Sequence, residues 1–253
     1  MSWMEALILG LVEGMTEFLP VSSTGHLILT SNALGIPNSD FLKAFEIVIQ
    51  TGAILAVVFI YGKDLLKDRS LILKMSIAFI PTGILGLLLH GIVKKYLFTP
   101  MVVCSALFIG GIILLFLENL VARVKQRPFT YVNYLSLGFF QCLAFVPGVS
   151  RSAATILGAR LMGGTREEAV RFSFLLAIPT ILAASAYSLL KIDVNFSHHE
   201  IISLVIGLIS SFIFGFISVK VFLKWLNHQT FVICGIYRIV FAVIYYFVFI
   251  RNV

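Results

Sequence analysis

Apolar residues along this chain come in runs of about 20, the length that carries an α-helix across the hydrocarbon core of a bilayer. Six such runs stand at 41–61, 71–93, 101–119, 169–190, 200–223 and 230–250. Two further stretches, 3–34 and 131–163, are long enough but interrupted. Pro20 and the polar run Ser22-Ser23-Thr24-Gly25-His26 divide the first, and Pro147-Gly148-Val149-Ser150-Arg151-Ser152 divides the second. Each is expected to form two short helices joined by a polar break, as a re-entrant hairpin that dips into the membrane and returns. Irregular backbone at membrane depth is tolerated only where protein or a wet cavity surrounds it, so each break marks a candidate site. The expected fold is all-α: one polytopic membrane domain over 1–253, with six transmembrane helices and two re-entrant helical hairpins.

Sliding the chain by 128 residues sets Leu9 on Leu137, Gly10 on Gly138, Val21 on Val149, Ser22 on Ser150, Ile28 on Ile156 and Leu29 on Leu157. Ser23 then falls on Arg151 and Glu13 on Gln141. The identities bracket the same polar break at one register, which suggests an internal duplication of 1–125 in 129–253. Three crossings separate equivalent points of the two halves. That number is odd, so the second half is expected upside down relative to the first, as an inverted-topology repeat.

Composition sharpens this picture: 59% of the 253 residues are hydrophobic, 12% are charged and the mean hydropathy is +1.02. A soluble domain of this size lacks the interior to hide so much apolar surface. The N-terminus has no basic flank and holds Glu5, Glu13 and Glu17 within its apolar stretch, so it reads as mature fold and not as a signal peptide. The net charge of +7 comes from residues spread over short loops, which argues for membrane topology and against a nucleic-acid partner. Lys63, Lys67, Arg69 and Lys74 crowd one loop, and Arg123, Lys125 and Arg127 another; both are expected in the cytoplasm. Hairpin 3–34 would then enter from outside and hairpin 131–163 from the cytoplasm, with both termini outside. Lys94 and Lys95, in an expected outer loop, run against this assignment. Cys104, Cys142 and Cys234 are scattered through apolar segments and read as packed spectators.

Glu13 and Glu17 stand four apart on an expected helix, so their carboxylates share one face and repel. Acids at membrane depth are costly, and something cationic should compensate them: a proton, a metal ion or an arginine. The hydroxyls of Ser22, Ser23 and Thr24 can cap the helix that follows, whose N-terminus offers free N–H groups and positive dipole to a phosphate. His26, beside hydroxyls and acids, suits a general acid or base. Arg151, between Ser150 and Ser152, carries a permanent planar charge whose donors match phosphate oxygens. His198 and His199, beside Glu200, are expected in a solvated loop.

At these residues the sequence resembles the bacitracin-resistance family of undecaprenyl-diphosphate phosphatases. One family signature is matched by Leu11-Val12-Glu13-Gly14-Met15-Thr16-Glu17-Phe18-Leu19-Pro20-Val21-Ser22-Ser23-Thr24-Gly25-His26, and the other by Pro147-Gly148-Val149-Ser150-Arg151-Ser152. The resemblance implies hydrolysis of the polyprenyl diphosphate to the monophosphate carrier of cell-wall synthesis, in a bacterial plasma membrane, by a site open to the outside. It implies dependence on a divalent cation, Mg2+ or Ca2+, with Glu13 and Glu17 as the acidic pair that would hold it. It makes Glu13, Glu17, Ser23, His26 and Arg151 catalytic, and places phosphate on Ser22, Ser23, Thr24, Gly25, Ser150, Arg151 and Ser152. The bilayer and the lipid substrate are the expected partners, with a homodimer left open. A lipid flippase or secondary transporter of the same architecture is the rival reading, since broken helices in inverted repeats also build transport sites.

Overall fold

The computed structural model of the protein describes residues 1–121, 123–190, 196–226 and 230–251. These residues hold ten α-helices: α1 Trp3–Thr16, α2 Ser23–Ala33, α3 Asp40–Lys67, α4 Arg69–Tyr96, α5 Pro100–Val121, α6 Tyr131–Cys142, α7 Arg151–Leu161, α8 Arg166–Leu189, α9 His198–Leu226 and α10 Val232–Tyr245. A 3-10 turn follows α6, and a π-helical turn, Tyr246–Ile250, extends α10. Six helices are long and apolar enough to cross a membrane: α3, α4, α5, α8, α9 and α10 with its extension. They cover the six runs expected, and several reach a few residues further because their caps lie outside the apolar stretch. Ser39 caps α3 through the Leu42 N–H at 3.1 Å, Asp68 caps α4, and Thr165 with Glu168 forms a capping box at α8.

The same device corrects one expectation. His198 and His199 are not in a loop but open α9, because Ser197 and Glu200 cap its start reciprocally: the Ser197 N–H donates to Glu200 Oε2 at 2.8 Å and the Glu200 N–H to Ser197 Oγ at 3.3 Å. The interrupted stretches are each two short helices around a break, α1 with α2 and α6 with α7. Both α2 and α7 are 11 residues long, and their first residues, Ser23 and Arg151, are the pair set together by the 128-residue offset.

Small residues let these helices approach closely. α1 lies along α9 with Gly10 against Gly207 and Gly14 against Ser211 and Gly215, where a Cβ on either α1 glycine would come within 2.6 Å of an α9 carbonyl oxygen. Serines of α9 fasten the seam: Ser210 Oγ donates to the Leu7 carbonyl and Ser218 Oγ to the Met15 carbonyl, each at 3.0 Å. Ser211 Oγ reaches the Ile49 carbonyl of α3 at 2.6 Å. Large apolar side chains such as Phe59, Leu88 and Phe116 face outward, as in a protein whose solvent is lipid. Cys104 and Cys234 are buried and Cys142 is half-buried.

Candidate active site

The chain leaves α1 at Glu17, whose N–H still bonds to the Glu13 carbonyl, and turns through Pro20 to Ser22. Ser22 has φ +75°, the only positive φ outside glycine among the described residues. That conformation costs roughly 1–3 kcal/mol and persists only when its surroundings fix it. Here the His26 side chain does so, with Nδ1 2.7 Å from the Ser22 carbonyl, while Ser22 Oγ accepts from the Gly25 N–H at 3.4 Å. The cap and the strain together start α2 at Ser23.

Ser23 and Arg151, the first residues of α2 and α7, meet on one carboxylate. The Ser23 hydroxyl donates to Glu17 Oε2. Arg151 Nη2 donates to Glu17 Oε1 at 3.0 Å, with both side chains nearly buried, and Arg151 Nη1 donates to the Ser173 carbonyl at 2.8 Å. Thr155 braces the arginine's turn, donating to the Arg151 carbonyl at 2.9 Å. Two helix N-termini therefore converge here, and their dipoles add to the guanidinium in favouring an anion.

The second break reaches the first through its serines. Ser152 Oγ donates to the Leu19 carbonyl at 2.7 Å and Ser150 Oγ to the same oxygen at 3.4 Å, while Ser150 also caps α7 through the Ala153 N–H at 3.1 Å. The breaks touch at Gly25, where a Cβ would stand in ordinary contact, 3.4 Å, with the Gly148 Cα and more tightly, 3.2 Å, against Val103. Thr24 is half-buried beside them. The site residues expected from sequence are thus brought together, with the arginine on the acid.

His26, expected to act as a general acid or base beside hydroxyls and acids, bonds to a backbone carbonyl and a tyrosine. A carbonyl can only accept, so Nδ1 carries the proton, and Nε2 takes a hydrogen bond from the Tyr237 hydroxyl at 2.8 Å. The ring stacks on Phe241 at 4.4 Å between centroids and on Tyr237 at 5.6 Å. The Ser23 proton therefore faces Glu17 and not the imidazole.

Glu13 is fully buried, and neither of its oxygens has a hydrogen-bond donor. Its charged neighbours are Glu17, Glu46 and Arg151, and two carboxylates can bond to each other only by sharing a proton. Glu46, on α3, escaped the sequence reading, as did Tyr237 and Arg238. All three sit singly inside long apolar runs, and a lone glutamate or arginine at membrane depth was the signal available. Among the described residues no group of three or more His, Cys, Asp or Glu side chains forms a ready metal site.

The chain matches the family model described as bacitracin resistance protein BacA over residues 6–244. It is 48% identical over 247 residues to an undecaprenyl-diphosphatase of Wolinella succinogenes, covering 96% of each chain. It is 45% identical over 253 residues to one of Persephonella marina, covering 97% of this chain and 98% of the relative, and 46% identical over 248 residues to one of Aquifex aeolicus, at 95% and 96%.

Proposed function

We infer the activity from a premise its relatives supply: this chain belongs to the bacitracin resistance protein BacA family. It is an undecaprenyl-diphosphatase, cleaving undecaprenyl diphosphate to undecaprenyl phosphate and inorganic phosphate. The single observation that carries this reading is the shared carboxylate, with the Ser23 hydroxyl on one oxygen of Glu17 and Arg151 on the other. A hydroxyl on a carboxylate is a nucleophile beside its base, and a guanidinium at two helix N-termini is a phosphate site.

Ser23 Oγ attacks the terminal phosphorus as Glu17 Oε2 takes its proton. The bond from that phosphorus to the bridging oxygen breaks, and Glu17 hands the proton to the departing undecaprenyl phosphate. Water then attacks the serine phosphate, Glu17 moves a water proton to Ser23 Oγ, and inorganic phosphate leaves. Each time Glu17 is protonated its pull on Arg151 weakens. Nη2 is then released to phosphate oxygens while Nη1 stays anchored on Ser173. Most of the rate enhancement comes from such positioning and charge neutralisation. His26 holds the strained Ser22 backbone from which Ser23 projects, and the serines of both breaks, with Thr24 and the Gly25 backbone, line the phosphate position.

The orphaned oxygens of Glu13 fit a divalent cation. Glu13 with Glu17 would hold Mg2+ or Ca2+, either of which accepts one or two carboxylates and takes its remaining ligands from phosphate and water. When bound, the ion neutralises charge on the diphosphate.

The site opens to the outer face of a bacterial plasma membrane. Support comes from the two basic clusters, the first of which lies not in a loop but on the ends of α3 and α4 either side of Asp68, and the second after α5. They share one side of the molecule: Lys74 and Arg127 line a common cavity of about 260 Å3 with Asp68, Glu168 and Arg171. Placing that side in the cytoplasm satisfies the positive-inside rule and turns the entrance of hairpin 3–34 outward.

The test is phosphate release from undecaprenyl diphosphate by purified protein in detergent, with and without chelator. Release that the chelator stops is expected. Detergent has no second leaflet, so a protein that only flips lipid would release nothing.

A further inference from the structure

Among the described residues, the most deeply buried positive charge lies outside both motifs. Arg238, on α10, is 1% exposed and has no carboxylate partner among the described residues. Its donors go to backbone carbonyls alone. Nη1 reaches the Pro20 carbonyl at 3.3 Å, and Nη2 reaches those of Gly148 at 2.8 Å and Ala106 at 3.1 Å. Nε reaches the Leu107 carbonyl at 3.3 Å. Pro20 belongs to the first polar break and Gly148 to the second, so one guanidinium ties both breaks to α5.

An unpaired charge at membrane depth is expensive, and a residue kept there in a carbonyl cage calls for a reason. The breaks supply it. Each lacks the helical ladder that would otherwise satisfy and fix its carbonyls, and a planar guanidinium can hold several of them in fixed directions at once. The opposing helix is shaped to admit it. All three atoms nearest to a Cβ built at Gly110 belong to Arg238, with Nη2 only 2.0 Å away. The 128-residue offset that sets Ser22 on Ser150 also sets Arg238 on Gly110, so the same position gives the cation in one half and the space for it in the other.

We propose that Arg238 is a positioning residue for the phosphatase reaction, holding the two breaks in the register that brings Ser23, Glu17 and Arg151 together. This rests on the phosphatase reading above, and two variants with two readouts separate them. Arg238→Lys keeps the charge but cannot span four carbonyls. Gly110→Ala keeps the arginine but displaces it. Deuterium uptake in detergent should rise in peptides covering 18–22 and 146–150 in both variants and stay near wild type in α3 and α8. The kcat should fall about tenfold or more, since small misplacements of reacting groups are that costly, with KM changed less than about threefold. The double variant should be no worse than the worse single one, because both act on one guanidinium.

Uptake unchanged at the breaks, raised at only one, or raised evenly along the chain would overturn the proposal, as would wild-type kcat in Arg238→Lys. A loss of activity that merely follows the fraction unfolded would make Arg238 structural and also overturn it. Should Gly110→Ala not fold, Arg238→Lys carries both readouts. If the wild-type protein releases no phosphate, the phosphatase reading fails, and the exchange pattern still decides whether the clamp exists.

Discussion

Arg151 donates to Glu17 across 134 positions of sequence, at 3.0 Å and almost out of contact with solvent. One residue comes from each interrupted stretch, so this pair is where the two halves of the chain become one site. Breaking such a pair leaves the survivor buried and unmatched, which typically costs about 3–5 kcal/mol. Arg151→Ala should therefore lose activity and lower the melting temperature together. Arg151→Lys should recover part of the stability and little of the activity, since an ammonium cannot serve Ser173, Glu17 and a phosphate at once. Wild-type turnover in the lysine variant would show that a counter-charge is all that is needed.

The hydroxyl of Ser23 is the proposed nucleophile, and its removal should be more damaging than its neighbours'. Ser23→Ala should reduce kcat by about 10²–10⁴, the range for losing a positioned proton-transfer partner and its nucleophile. Rapid quenching of wild-type protein with substrate labelled in the terminal phosphate should leave label on Ser23. Full turnover with no label there at any time would assign Ser23 to orienting water instead.

Glu13 separates cation binding from catalysis. Gln is its isostere, and replacing a buried carboxylate whose oxygens have no donors should raise thermal stability in chelator. The same variant should lose most of the melting-temperature increase that Mg2+ or Ca2+ gives the wild type. An undiminished increase in Glu13→Gln would remove Glu13 from the cation site.

Tyr237→Phe deletes the hydrogen bond to His26 Nε2 and leaves the ring stack in place. The Ser22–His26 contact survives it, so kcat should fall by about tenfold or less, whereas His26→Ala, which also frees the strained Ser22 backbone, should fall further. Equal losses in the two would mean that the tyrosine hydroxyl, and not the Ser22 contact, is what His26 provides.

Topology is checked by single cysteines in a protein lacking its own. Asn38 and Gln126 are both exposed, in the segments after α2 and after α5. A membrane-impermeant thiol reagent should label position 38 in intact cells and spare 126. Labelling of 126 alone would move the site to the cytoplasmic leaflet.

The helices were readable because an apolar run of membrane length admits few other structures, and each break because proline, glycine and clustered hydroxyls interrupt an otherwise uniform pattern. Ser23, Glu17 and Arg151 stood out for the same reason, as polar residues in apolar surroundings. What a one-dimensional pattern could not assign was partnership. Nothing in the spacing of His26 distinguishes a bond to Ser23 from one to Tyr237, 211 positions away. Arg238 is a single letter in an apolar run, and its meaning lies in four carbonyls from three other parts of the chain.

The seam between α1 and α9 also works as a depth gauge. Met1, Leu7, Gly14 and Met15 meet Ser203, Ser210, Ser211 and Ser218 in that order, so the two helices run side by side in the same direction. At 1.5 Å per residue the 14 residues of α1 extend about 21 Å, and the 29 of α9 about 44 Å. Glu13, next to Gly14, therefore sits level with the middle third of α9, far from either end. A headgroup bound there must be drawn well below the level where lipid phosphates ordinarily rest, while its long prenyl tail stays alongside the apolar outer wall.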